Sequence, residues 1–360
     1  MLICRGCALG DMETNEAGEA RSPELIDLSK IEGAFTFAEG FSRPDWALIG
    51  RAIVKSTFPE DRNAAWTEAA TQWALQLQRD LGGRYQVDSS KNFLLLSELE
   101  ANGVRSILDF AERALEEIGR QLGQAAWRPG SGKHVIFLFT EDDDYYQYVT
   151  YFLPDGVHPA SGGCLLSSNG YVHIAIPSYD GRHVRSTIVH ELTHNCLVHL
   201  PIPLWLNEGL AQLFERALGT SRRVLLDSDL RDEHFAFWDE ETIQKFWAGL
   251  SFYEPGDSNK LSYSLAEILV NLLMERKESF VGFIQSAGWR DAGQTAVVDA
   301  LSMDLGAVAE TFLGEGQWRP SRKTMAELWR SERAKLQTAD AKDSAAQGQS
   351  GGGGQTAVGS

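Results

Sequence analysis

The stretch Val189–Glu215, VHELTHNCLVHLPIPLWLNEGLAQLFE, decides how the rest of the chain is read. His190 and His194 stand four apart, which on a helix puts both rings on one face, one turn apart. Two imidazoles so placed can reach one zinc ion at about 2.0–2.1 Å each. Glu191 follows the first histidine on a neighbouring part of the same surface. There it can take a proton from water without ligating. Pro201 and Pro203 then break the helix, and a second helix carries Glu208 and Glu215.

A catalytic zinc takes three protein ligands and keeps a position open. Three sources of a third ligand present themselves. The longer pattern H-E-x-x-H-x-x-G-x-x-H fails, because Leu197 stands at its Gly and Leu200 at its last His, with His199 one residue early. No aspartate occurs between His194 and the distant Asp227. The third source is a glutamate of the next helix, where Glu208 sits.

Val189–His194 joined to Trp205–Ala211 (WLNEGLA) resembles the gluzincin metallopeptidases, whose pattern is H-E-x-x-H followed by W-L-x-E-G-x-A. The peptidase-MA-like group is the most similar branch, and the likeness spans roughly residues 91–329. The resemblance implies metal ligands at His190, His194 and Glu208, one Zn2+ per chain, and a general base at Glu191. It places a tyrosine near the metal at the head of a later helix, here Tyr263, with Tyr253 competing for that role. A phenol there can donate to the oxyanion of a tetrahedral intermediate. Only thirteen residues separate His194 from Glu208, fewer than in the aminopeptidase and thermolysin branches, so a shallower or more open cleft is expected. The plain alternative is a salt-bridged surface helix with ordinary histidines, and the independent second motif argues against it. Glu215, two turns after Glu208 on the same face, can fix a ligating histidine's tautomer, as can Gln212.

The 360 residues suit one large domain or two small ones, and 43% hydrophobic content supplies a sizeable core. A formal charge of −17 argues against nucleic acid and anionic membranes as partners. A peptide or protein substrate is the expected partner. Four cysteines, Cys4, Cys7, Cys164 and Cys196, give no dense disulfide framework. Cys196 reads as a small buried hydrophobe, and the C-x-x-C of Cys4 and Cys7 as incidental. The N-terminal apolar run is short and interrupted by Arg5, and no apolar stretch approaches eighteen residues, so a cytoplasmic protein is expected.

Residues 1–38 are polar, acidic and glycine-containing, and read as disordered. Residues 39–90 read as a helical N-terminal region, with Trp46, Ile49 and Ile53 and then Trp66, Ala70, Trp73 and Leu77 at helical spacing. The metallopeptidase-like domain spans 91–330. It opens with buried strands at 92–97 and 133–140 flanking a helix over 102–122. Glu141–Asp144 starts another helix, its acids matched to the helix dipole, with calcium binding as the alternative. Gly162–Ile176 reads as a hairpin turning at Ser168-Asn-Gly. By the resemblance it lines the cleft, and His173 on it reads as structural. The aromatic segment Trp238, Phe246, Trp247, Phe252 and Tyr253 reads as packing. Helices follow from Ser262, and 337–360 is a flexible Gly-rich tail.

The expected fold is α+β: a small mixed sheet packed with the metal helix, then a helical subdomain. The expected function is zinc-dependent peptide-bond hydrolysis by a metal-activated water with Glu191 as base. The alternative is a catalytically inactive scaffold that binds peptide or protein.

Overall fold

Three strand candidates are apolar on both alternating sets of residues, the pattern of strands covered on both faces. The protein is seen here in a computed structural model that describes residues 26–126, 131–152, 162–178, 183–219 and 228–335. A two-stranded hairpin, β1 (Phe35–Ala38) and β2 (Phe41–Pro44), precedes a five-stranded sheet. That sheet contains β3 (Gln86–Ser89), β4 (Phe93–Ser97), β5 (His134–Phe139), β6 (Cys164–Ser168) and β7 (Tyr171–Pro177), in the order β3-β4-β5-β7-β6. The pairs β4–β5 and β5–β7 are parallel, and the outer strands β3 and β6 are antiparallel to their neighbours. The β6–β7 hairpin turns at Asn169 (φ 49) and Gly170 (φ 82), the left-handed pair that suits the twist of a two-residue turn.

Alternation along the strands assigns each face. Phe93, Leu95, Ile136, Leu138, Ile174 and Ile176 join the core beneath α3 (Ala101–Leu122) and α5 (Val184–Leu197). Leu94, Leu96, Val135, Phe137, Phe139 and Ala175 join a second core on the other face. That core is closed by α1 (Trp46–Ser56), α2 (Arg62–Asp80) and α4 (Asp142–Thr150). The helices expected at 102–122 and from Glu141 are thus present, and α4 carries Asp142, Asp143 and Asp144 in its first turn.

The N-terminal boundaries differ from expectation. Ile26, Leu28 and Ala34 are buried, so folded structure begins before residue 39. Residues 39–90 are not purely helical, since β2 and β3 lie in them. Nor do they stand apart from the rest. Trp46, Ile49, Trp73 and Leu77 cover the sheet's second face, and β3 extends the sheet beside β4. The polar strand Gln-Val-Asp-Ser carries no apolar alternation, so nothing in its sequence announces it. Cys4, Cys7 and the tail from 337 lie outside the described residues.

After α5 come α6 (Leu204–Leu218), α7 (Ser228–Phe237), α8 (Thr242–Trp247), α9 (Asp257–Met274), α10 (Lys277–Ser286), α11 (Gln294–Leu301), α12 (Leu305–Leu313) and α13 (322–335). Helix α9 begins five residues before Ser262, after Gly256 at φ 80. Trp238, Phe246, Trp247 and Phe252 are core residues, whereas Tyr253 is exposed. No helix among the described residues is long and apolar enough to cross a membrane.

The α6–α9 crossing depends on Gly209. A Cβ there would meet the Ala266 carbonyl oxygen at 2.5 Å and Val270 Cγ2 at 2.6 Å. Gly209→Ala should therefore cost about 1–3 kcal/mol through overpacking, read as a lower urea midpoint. Gly282→Ala on α10, where nothing lies within 4 Å, should be neutral or stabilising by up to about 1 kcal/mol. Equal midpoints for wild type and Gly209→Ala would contradict the close approach.

Candidate metal centre

Helix α5 is buried almost all round, between β7, α3 and α6. Its polar residues therefore need internal partners. Thr193 returns its hydroxyl to the Val189 carbonyl at 2.8 Å. Cys196, 1% exposed, is the small core residue expected. The two histidines turn toward α6.

On α6 the residues of WLNEGLA divide between anchoring and chemistry. Trp205 is fully buried, and its indole N–H donates to the Ala292 carbonyl at 2.9 Å. Leu206, Leu210 and Ala211 are core. Gly209 sets the approach to α9. Asn207 and Glu208 face the histidines.

His190 Nε2 and His194 Nε2 lie 3.1 Å apart. Glu208 Oε2 is 3.5 Å from the first and 3.4 Å from the second. Each ring's other nitrogen settles its tautomer. His190 Nδ1 is 3.0 Å from Glu215 Oε2, and His194 Nδ1 is 3.1 Å from Asn207 Oδ1. Both oxygens accept, so both Nδ1 atoms carry hydrogen. Both Nε2 lone pairs then point at one another and at Glu208 Oε2, a buried oxygen with no hydrogen-bond partner. Three electron-rich atoms held this close call for a positive charge between them. The side chains keep 16%, 13% and 12% exposure, so the site is recessed but reachable. Among the described residues this is the one His/Cys/Asp/Glu group able to hold a metal ion. The acidic start of α4 forms no such group.

Without a metal, a proton takes that place. Burial pulls the His190 imidazole down, but Glu208 and Glu215 outweigh it and push it up to about 10. His194 is likewise raised, burial being outweighed by Glu208. Glu208 is drawn down to about 2, against burial, by the two histidines.

Glu191 is 7% exposed and lies outside the triad. Burial raises its carboxyl above the ordinary range, against the pull of His194 and His190. The backbone N–H of Leu165 donates to it, which ties the carboxylate to strand β6. Tyr263 is partly buried, its ring edge-on to Phe252 at 5.2 Å. Burial, Glu208, Tyr253 and Glu191 all raise its phenol. Burial and Glu208 also raise Tyr253. Both phenols thus feel the site's charge, and Tyr263 feels that of both carboxylates.

Sequence reasoning missed Asn207, which occupies the variable position of W-L-x-E-G. Its signal was adjacency to Glu208 on a helix facing two histidines. Glu215 rather than Gln212 makes the bond to His190. His173 lies on the sheet's other side, bonded to the Tyr148 hydroxyl at 2.7 Å and ringed by Trp73, Phe137 and Phe152. Burial depresses it to about 3, in keeping with a structural role.

Compared with models of known families, with curated proteins and with solved structures, the chain matches none.

Two predictions follow the tautomers. With His190 protonated at pH 7 and required neutral as a ligand, metal binding should release at least one proton. Apparent affinity should then rise about tenfold per pH unit from 7 toward 10, seen by titration in buffers of different ionisation enthalpy. Affinity independent of pH over that window would exclude the protonated triad. Separately, Asn207→Ala and Glu215→Ala should each weaken metal binding about 10–100-fold while the far-ultraviolet circular dichroism stays unchanged. Unaltered affinity in both would remove them as supports of the ligands.

Proposed function

We propose that the chain is a zinc-dependent peptidase. The observation that carries this reading is the triangle of His190 Nε2, His194 Nε2 and Glu208 Oε2, with edges of 3.1, 3.4 and 3.5 Å. Tetrahedral zinc with nitrogen and oxygen ligands at about 2.0–2.2 Å separates those ligands by about 3.3–3.5 Å. Three protein ligands leave a coordination position free, as catalytic zinc requires. The H-E-x-x-H and WLNEGLA motifs, through their likeness to gluzincins, supply the reaction class.

When bound, zinc polarises the scissile carbonyl and acidifies water toward a pKa of about 7. Glu191 removes a proton from the attacking water as its oxygen bonds to the carbonyl carbon. It then delivers that proton to the leaving amine as the C–N bond breaks. A buried carboxyl whose proton affinity is raised above the ordinary range is a stronger base toward water than a solvated one, and it can pass the same proton on to the amine. The Leu165 N–H holds it in place. Tyr263, whose phenol feels the charges of both Glu208 and Glu191, is the donor to the developing oxyanion. Strand β6 lies at the edge of the sheet, and an edge strand next to the base can hold a peptide extended by backbone pairing. No motif for a free amino terminus precedes the metal helix, which favours cleavage within chains. A binding-only scaffold would have no use for a non-ligating buried carboxylate beside the triad.

Glu191→Gln should keep stoichiometric zinc and lose hydrolysis of a peptide library by about 10²–10⁴-fold. Glu208→Ala should lose the metal itself. The mechanism is wrong if Glu191→Gln cleaves like wild type in the same metal-loaded assay.

A further inference from the structure

The two histidines of the triad are supported from opposite ends of α6. Asn207, behind His194, sits two residues after Trp205, whose indole anchors the start of the helix. Glu215, behind His190, lies ten residues past that anchor, about 15 Å along the helix. Helix ends fray unless something outside them holds them, and α6 ends at Gly219, one turn later. The Glu215 side chain is partly exposed, and among the described residues its carboxylate bonds His190 alone. A glutamate with free rotamers keeps one such contact only where its own helical turn is fixed.

Two contacts fix that turn. On the α5 side, Ser186 and His190 are one turn apart, as are Gly219 and Glu215, and the two pairs face each other across antiparallel helices. A Cβ at Gly219 would meet Ser186 Oγ at 2.9 Å and Ser186 Cα at 3.2 Å. Its absence lets the end of α6 close on α5. On the α9 side, the Glu267 carboxylate takes Arg216 Nη2. Glu267 is 5% exposed, whereas the Arg216 side chain is 37% exposed. The carboxylate is therefore the fixed partner, and the long side chain comes to it. Glu267 follows Ala266, whose carbonyl marks the crossing with Gly209 of α6. Side chains on a helix lean toward its N-terminus, which carries Arg216 back along α6 to that crossing. The pair is a charged tether from the crossing to the turn that bears Glu215. A buried carboxylate left without its cation is strongly unfavourable, so Glu267 does not exchange this bond for water.

We propose that Glu267 is a positioning residue of the metal centre. Through Arg216 it holds the last turns of α6 so that Glu215 meets His190 and sets that ring's tautomer. The inference rests on reading the triad as a metal centre and is independent of the hydrolytic step.

Zinc affinity by chelator competition and histidine-selective NMR of the full chain test this without turnover. Glu267→Met keeps the side-chain length and removes the acceptor, and Arg216→Met removes the donor from the exposed side. Each should weaken zinc binding about tenfold. Each should also move the Nδ1–H signal of His190 and leave that of His194, held by Asn207, in place. Glu267→Gln, which keeps an acceptor oxygen, should stay within about threefold of wild type. Because the pair acts through Glu215, Glu267→Met should weaken zinc binding no further in a Glu215→Ala background, whereas its effect should add to that of Asn207→Ala. An unmoved His190 signal in both methionine variants, a shift of both histidines together, or full additivity with Glu215→Ala overturns the proposal. If wild type takes up no zinc, the metal reading fails, and the His190 signal of the metal-free chain still decides the positioning role.

Discussion

Two imidazole lone pairs and a carboxylate oxygen, none of them carrying a proton in the tautomers set by Glu215 and Asn207, converge within 3.1–3.5 Å. Such a group calls for a positive charge at its centre, which in the metal-free chain is a proton held on His190 by Glu208 and Glu215. What keeps the three atoms converged is mechanical. That work falls on the packing of α5 and α6. Helix α5 is clamped between the sheet, α3 and α6. Helix α6 is fixed by the Trp205 bond to Ala292 and by the absence of a Cβ at Gly209. The proline-rich link between the helices leaves little slack for the ligands to part. A well-packed core thus fixes the three atoms at ligand spacing in advance, so that an ion can replace the proton without rearranging them.

The same packing explains why one buried carboxylate joins the metal-competent triad and the other does not. Glu191 and Glu208 are both buried carboxylates near the same histidines, yet they are pushed in opposite directions. Glu208 is drawn down, against burial, by the positive charge that the two imidazoles carry. Glu191 is raised because burial outweighs the more distant pull of the imidazoles. Two carboxyls with separated proton affinities are the arrangement from which acid–base roles follow. Sheet and helical half both contribute. The Leu165 N–H of strand β6 donates to Glu191, and α9 with the loop before it carries Tyr263 and Tyr253, whose phenols feel the site's charge.

Much of this was legible in the sequence where local rules apply. The central strands were readable from their unbroken apolar runs, and the hairpin from Asn169-Gly170. The triad was readable because helical periodicity is short-range: four residues bring His190 beneath His194, whatever surrounds them. Elsewhere local rules were silent. The strand at Gln86–Ser89 exists because β4 offers it an edge, not because its side chains favour it. Helix α5 has no amphipathic face to detect, since nearly all of its faces are buried. The N-terminal helices show an apolar stripe, but a stripe does not say which surface it will cover.

What the sequence alone determined is the list of candidate ligands, a candidate base, and the α+β class, because these follow from residue type and spacing along single elements. What only the tertiary structure decided is how separate elements meet. It placed Asn207 and Glu215 behind different histidines. It put His173 across the sheet from the site and joined the first helices to the sheet's second face. It also separated the buried members of the aromatic segment from Tyr253. Side-chain neighbours across elements depend on crossing geometry and close approach, as at Gly209 against Ala266, and spacing along one chain does not encode those distances.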